Sequence, residues 1–291
     1  MSYFLNKKIL LMGRKKEIKP TREEIYRNNM PRRVLSLDIS TACIGISLIC
    51  DNGDDVPEIL EITHVSPKIS SKIKGIEALI LRKNIFENEY LLPRKNIGIT
   101  DVVIEEPLLS SNNVNTVATL LRFNGMISEA VYRVLGIIPE FISSYNARMY
   151  SFPHLVSIRK FNKKGEEYPI AHIKKDLKDN HLVLFGSYPF DIDKKNVMMN
   201  AIKDIYPDIP WVLDKHGELR KENYDMCDSL VCALAYTNIV KKGEEKPVIV
   251  SSMVEKLDNG GYCVEYTTQI WGKRYEKKIN LSLSNITTKK P

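Results

Sequence analysis

The chain has 291 residues, of which 43% are hydrophobic, so it is long enough for one large domain or one domain with an appendage. It contains no apolar run of about 18 residues, which argues against a membrane span, and its N-terminus does not resemble a signal peptide. Five cysteines without a CxxC pair and five histidines without HxxxH spacing indicate reduced core thiols in a cytoplasmic protein, and no zinc site.

The net charge of +7 is unevenly distributed along the chain. Residues 1–33 contain 10 Lys and Arg against 3 Asp and Glu, and residues 246–291 contain 8 against 4. The region between them therefore carries a net charge of −4. Basic ends around an acidic centre suit a polyanionic partner. Ordinary solvated tails are the alternative interpretation.

Hydrophobic periodicity predicts alternating strands and helices after a basic arm at residues 1–32. The arm includes one possible short helix at 21–29. The predicted strands are 34–38, 44–50, 59–65, 101–104 and 140–143, and the predicted helices are 75–92, 114–135, 193–206 and 225–240. Residues 151–190 are interpreted as an irregular insertion. This order predicts an α/β fold in which helices flank a mixed sheet.

The C-terminal residues 244–291 are predicted to form a small β appendage. Three alternating segments, at 248–254, 262–271 and 273–281, include the sequence Asn259-Gly260-Gly261, which is typical of hairpin turns. The domain prediction is therefore a basic arm, a core domain at 33–243 and this appendage.

Four carboxylates lie at the ends of predicted apolar elements. Asp38 ends one strand and Glu105 ends another, while Asp225 and Asp228 begin a helix and share one of its faces. Each alone has an ordinary explanation, as a turn former, a surface ion pair or a residue favoured by the helix dipole. Together they form an acidic cluster that needs compensating cations. Carboxylates suit Mg²⁺ or Mn²⁺, and paired metals at such sites hydrolyse phosphodiesters.

These motifs resemble, in type and order, those of the RuvC-type Holliday junction resolvases of the RNase H-like superfamily. The resemblance extends from about residue 33 to residue 240. The matching motifs are the first strand with its glycine return, a second acidic strand, a long helix, a helix that starts with lysine and a closing acidic helix. They lie at 34–38 with 41–45, 102–105, 112–129, 193–197 and 225–233. The resemblance implies an RNase H-like fold and a structure-selective endonuclease.

The resemblance also assigns roles to individual residues. Asp38, Glu105, Asp225 and Asp228 would be catalytic carboxylates that hold two Mg²⁺ ions, with Mn²⁺ as a possible substitute. Lys194 would be a catalytic residue that contacts the phosphate or stabilises the transition state. Glu106 is adjacent to Glu105 and points to the opposite face of a strand, so it is predicted to lie outside the cluster.

The implied partners are branched DNA and a second copy of the chain. A homodimer would match the two-fold symmetry of a four-way junction and cut opposing strands, leaving 5′-phosphates for DNA recombination or repair. Basic residues of 1–33 would contact phosphates, together with Lys160, Lys163, Lys164, Lys174 and Lys175. Trp271 and Tyr275 would either stack on bases or pack in the β appendage. The Lys-, Ile- and Asn-rich composition and the extensions suggest a bacteriophage origin.

Several alternatives stay open. The family often has an aromatic residue a few positions after the glutamate, where this chain has Pro107-Leu108-Leu109. Whether the protein stacks on bases at the junction centre, and whether it prefers a cognate sequence, are therefore open questions. The substrate could be a flap, a fork or an RNA–DNA hybrid. The chain could instead be a non-catalytic branched-DNA-binding protein. Residues 38–45 also resemble the first phosphate loop of actin- and sugar-kinase-like ATP-binding proteins, although only Gly260 and Gly261 hint at the glycine-rich adenosine site that such proteins need.

Overall fold

The computed structural model describes residues 31–107, 113–155, 194–258 and 262–281, together with Tyr26 and Asn28. Tyr26 and Asn28 are helical, within the short helix predicted for the arm. The predictions for the rest of the arm, for residues 156–190 of the insertion and for the Asn259-Gly260-Gly261 turn lie outside the described residues.

A five-stranded mixed sheet forms the centre of the molecule. Its strands are β1 (Arg32–Ile39), β2 (Ile44–Asp51), β3 (Glu58–Val65), β4 (Asp101–Glu105) and β5 (Glu140–Ile142). The order across the sheet is β3-β2-β1-β4-β5. β2 is antiparallel to both β1 and β3, whereas β4 is parallel to both β1 and β5. The mixed sheet and its flanking helices confirm the α/β fold that the sequence predicts.

Five α-helices accompany this sheet in the described part of the chain. They are α1 (Gly75–Phe86), α2 (Val114–Leu135), α3 (Ser144–Ser151), α4 (Lys194–Ile205) and α5 (Glu222–Lys242). Past α1 the chain continues as a π turn and a 3₁₀ turn to Arg94, so the predicted helix at 75–92 is present with an irregular end. Helix α3 was not predicted from the sequence, and α5 begins at Glu222 instead of residue 225.

Strand alternation divides the core between the two faces of the sheet. On one face, Val34 and Val103 pack with α3, α4 and α5. On the other, Leu35 and Leu37 pack with α1 and α2. Even-numbered residues of β1 therefore point toward α5, and this parity decides which strand-end carboxylates can meet that helix.

A second sheet of three antiparallel strands confirms the predicted C-terminal β appendage. It consists of β6 (Val248–Lys256), β7 (Tyr262–Ile270) and β8 (Lys273–Leu281). Trp271 and Gly272 connect β7 to β8 with φ angles of 50° and 72°, as in a two-residue hairpin turn. The Trp271 indole N–H donates a 2.8 Å hydrogen bond to the Gly243 carbonyl, and its ring packs 5.5 Å from that of Tyr150. Trp271 thus packs against the rest of the protein.

All five cysteines are free and buried, as predicted for reduced core thiols. In the described part of the chain, no helix has both the length and the apolar character that crossing a membrane requires.

Candidate metal centre

Asp38 and Glu105 lie side by side at the carboxyl ends of two neighbouring parallel strands. Leu37 of β1 is paired with Ile104 of β4, so the residue that follows each of them lies at the same edge of the sheet. Leu37 and Ile104 are buried in the core on the α1–α2 side. Because side chains alternate along a strand, Asp38 and Glu105 point to the α5 side.

A glycine on β2 lets helix α5 approach this edge closely. Gly45 is paired with Asp38 across the β1–β2 ladder. A Cβ atom on Gly45 would lie 2.1 Å from both the carbonyl carbon and the carbonyl oxygen of Asp225, so the backbone of α5 rests directly on the backbone of β2. Ser229 and Ser47 continue this contact through a hydrogen bond of 3.2 Å between their hydroxyls. Only glycine fits at position 45.

This approach brings three carboxylates together. Asp38, Glu105 and Asp228 each offer an oxygen, and these oxygens lie within 4.8 Å of one another. Asp228 is buried, and the other two are partly buried. Three carboxylate oxygens at a sheet edge are hard ligands of the kind that Mg²⁺ and Mn²⁺ prefer. The donor set therefore fits a divalent cation.

The electrostatics of the cluster favour a cation. Burial, followed by the charges of Glu105, Asp228 and Asp225, raises the pKa of Asp38 well above its usual range. Burial and the neighbouring Asp228 raise the pKa of Glu105 to about 7. Burial also raises the pKa of Asp228. Burial therefore disfavours the charged forms of all three carboxylates, and a bound cation would favour those forms and displace protons from the group.

Asp225, the fourth predicted carboxylate, lies beside this group. It is not one of the three residues whose oxygens lie within 4.8 Å of one another. Burial raises the pKa of Asp225, and the nearby Cys43 thiol opposes that rise. Burial raises the pKa of Cys43 to about 12, which keeps that thiol protonated. Asp225 as a metal ligand stays a prediction.

The lysine predicted to act at the site begins helix α4. Lys194 is the first residue of α4, but its side chain lies outside the described residues, so its role stays a prediction. The next residue, Lys195, does influence the cluster. Burial raises the pKa values of the carboxylates, and the positive charge of Lys195 opposes that rise at Glu105 and Asp228. Its ammonium nitrogen lies 5.4 Å from the Tyr224 ring centroid.

Two residues that the sequence analysis missed also contact the carboxylates. Arg148 on α3 places a guanidinium nitrogen 4.0 Å from a carboxylate oxygen of Asp228. Cys232, one turn after Asp228 on α5, points its thiol at Glu105 across 3.9 Å. The available signals were that Arg148 is the one charged residue in 144–151 and that Cys232 follows Asp228 at helical spacing.

Among known proteins, the chain is similar only to solved structures, and its sequence identity to them is low. No protein-family model and no curated protein matches the chain. A Thermus thermophilus RuvC structure in complex with Holliday junction substrate is 13% identical, with a TM-score of 0.47, covering 75% of this chain and 99% of that one. The yeast mitochondrial Holliday junction resolvase is 13% identical, with a TM-score of 0.39, covering 72% and 79%. An Aquifex aeolicus Ppx/GppA phosphatase is 14% identical, with a TM-score of 0.32, covering 73% and 91%.

Proposed function

We propose that this protein is a metal-dependent endonuclease that resolves four-way junctions and other branched DNA. The observation that carries the proposal is the group of three carboxylates, Asp38, Glu105 and Asp228, whose oxygens lie within 4.8 Å of one another. They come from two strands and a helix that are far apart in sequence. Such a group is unfavourable in a folded protein unless cations neutralise it.

Asp38, Glu105 and Asp228 would hold Mg²⁺ or Mn²⁺, and Asp225 would complete a second metal position on the same helix. Bound there, such cations lower the pKa of an attacking water and neutralise the charge that develops on the scissile phosphate and the leaving oxygen. Hydrolysis would break the bond between phosphorus and the 3′ oxygen, so the products carry 5′-phosphates.

The chain itself would position the phosphate and balance charge. Arg148 and Lys195 keep Asp228 and Glu105 more acidic than burial alone would, which favours the ionised, metal-binding forms. Arg148, 16% exposed at its side chain, is held beside Asp228 by a helix whose N-terminus Ser143 caps. The Cys232 thiol donates toward Glu105 and would orient that carboxylate.

The choice of branched DNA rests on the order of the motifs in the sequence and on the basic ends of the chain. A homodimer would present two such centres to opposing strands of a junction. A branched-DNA-binding protein without catalysis and an ATP-binding protein of the actin and sugar-kinase type are the outcomes against which the proposal is tested.

The test is cleavage of an end-labelled four-way junction with Mg²⁺ by the wild-type protein and by Asp38→Asn, alongside linear duplex of the same sequence. Paired nicks in the junction, sealable by DNA ligase, that the variant fails to make while still binding the junction, are the expected result. Binding without cutting in either Mg²⁺ or Mn²⁺ would favour the non-catalytic protein. Neither binding nor cutting, together with ATP binding, would favour the kinase-like alternative.

A further inference from the structure

A basic cleft lies beside the metal centre, on the other face of the sheet. The cleft, of about 620 Å³, is enclosed by the start of α1, the middle of α2 and the β1–β2 turn. Its charged lining consists of Lys74, Arg82 and Arg122, and no Asp or Glu lines it in the described part of the chain. Thr41, three residues after Asp38, forms its edge. The turn that ends at the metal centre is therefore also one wall of the cleft.

Two further features of the cleft favour an anion. No side chain caps the first turn of α1, which begins at Gly75, and Lys74, Gly75 and Ile76 line the cleft, so the positive end of the helix dipole lies at the cleft. The Nε atom of Arg82 is buried and has no hydrogen-bond partner among the described residues. A buried guanidinium N–H without a partner is uncommon, and a phosphate oxygen would supply one.

From these observations we infer that the cleft is a binding site for the phosphodiester backbone of a nucleic-acid strand. This inference rests on the proposed function and deepens it. The strand whose scissile phosphate lies at Asp38 and Glu105 passes over the β1–β2 turn and places a neighbouring phosphate in the cleft. Arg82 and Arg122 pair with that phosphate, and Lys74 adds charge at the helix start. The acidic centre cannot hold a polyanion by itself, and the cleft supplies the attraction that it lacks.

The main test compares two double variants for junction binding in the Asp38→Asn background, where cutting is blocked. Lys74→Gln/Arg122→Gln removes two charges at exposed positions of the cleft. Lys95→Gln/Lys215→Gln removes two exposed charges outside the cleft and outside the basic ends of the chain. The cleft variant should bind about tenfold more weakly and reduce the slope of log Kd against log salt by about two, and the control should do neither. If the two variants bind equally well and with the same salt slope, the cleft does not bind the DNA backbone, and the nuclease proposal is unaffected.

A second measurement locates the contact on the DNA. Single neutral methylphosphonates are placed at successive positions around the cleavage point, and Kd is measured for each. A methylphosphonate at one position near the cut should weaken binding by the parent protein. It should have little effect on the Lys74→Gln/Arg122→Gln variant, because that variant has already lost the contact. If every position weakens both proteins equally, the cleft does not contact the backbone.

A third measurement separates the cleft from the nuclease activity. A six-nucleotide oligothymidylate should raise the Tm of the wild-type protein, and the rise should vanish in Arg82→Gln and in Lys74→Gln/Arg122→Gln. This result would stand even if junctions were neither bound nor cut, which would contradict only the nuclease proposal. No rise in the wild type, or an equal rise with inorganic phosphate, would overturn the assignment to a nucleic-acid strand.

Discussion

The α5 side and the α1–α2 side of the main sheet meet at the same strand ends but differ in charge and packing. On the α5 side, helix and strand backbones touch at Gly45, and three carboxylates are enclosed with raised pKa values. On the α1–α2 side the β1–β2 turn borders a cleft of about 620 Å³ whose charged lining residues are all cationic. The close-packed side gathers acidic groups that suit a metal cation, and the open side gathers basic groups that suit an anion.

The largest expected effect comes from removing a carboxylate of the cluster. Asp38→Asn or Glu105→Gln should slow junction cleavage by roughly a thousandfold, because each removes a ligand of the proposed metal centre. Glu106→Gln is a matched control, since Glu106 follows Glu105 directly and is exposed. Its cleavage rate should stay within about twofold of wild type. Single-turnover rates on a saturated junction measure this, and an equal loss in Glu106→Gln would contradict the assignment of Glu105.

The next effect tests the close packing of α5 on β2. Gly45→Ala places a methyl group 2.1 Å from the Asp225 backbone, so it should lower the free energy of unfolding by about 3 kcal/mol and displace the carboxylates from one another. Gly125→Ala is the control, because Gly125 lies within α2 with nothing within 4 Å of an added Cβ. It should stabilise by about 0.5–1 kcal/mol. Urea unfolding measures both, and a Gly45→Ala protein of wild-type stability would refute the packing argument.

The dependence of stability on pH and metal tests the raised pKa values. The pKa of Glu105 is raised from 4.5 to about 7, so its protonated form is favoured in the folded protein. That contribution is fully present below about pH 4.5 and is lost as pH rises through 7, so the Tm of metal-free protein should fall between pH 5 and pH 8. At pH 8, Mn²⁺ or Mg²⁺ at 100 times its Kd should raise the Tm by about 5 °C. The same concentration of metal at pH 5 should raise the Tm much less, because protons compete for the carboxylates.

Variants of the same cluster provide the control for this pH dependence. Glu105→Gln should flatten the fall in Tm and remove most of the rise with metal, while Glu106→Gln should behave like wild type. Differential scanning fluorimetry in chelated and metal-loaded buffers measures all three proteins. A metal-induced rise that survives in Glu105→Gln would place the cation elsewhere.

The smallest expected effect concerns Arg148. Arg148 opposes the rise in the pKa of Asp228 and of Glu105, so Arg148→Gln should raise both further. Cleavage should slow by about tenfold at neutral pH, and the acidic limb of the rate profile should move to higher pH. Arg148→Lys should restore part of the rate and the profile, because it keeps the charge. A uniform loss of rate with no change in the profile would indicate that Arg148 has only a structural role.

Local sequence patterns were sufficient to predict the strands of the main sheet and the acidic residues at their ends. The strand with Asp38 and that with Glu105 are apolar runs bounded by polar residues, and such runs are buried wherever they occur. The helix Val114–Leu135 has both a side-chain cap at Asn113 and Gly136 in a left-handed conformation, so its limits are encoded locally. The short helix Ser144–Ser151 has less apolar periodicity and was missed, and Arg148 was missed with it.

What the sequence determined by itself was the type and order of the elements and the presence of acids at their ends, because burial and turn preferences act over a few neighbouring residues. The tertiary structure decided which acids meet. Pairing of β1 with β4 and the contact of α5 with Gly45 bring Asp38, Glu105 and Asp228 together and leave Asp225 outside that group. The same packing joined Lys74, Arg82 and Arg122 in one cleft. Such proximities depend on the register and packing of distant segments, and no local pattern in the chain encodes them.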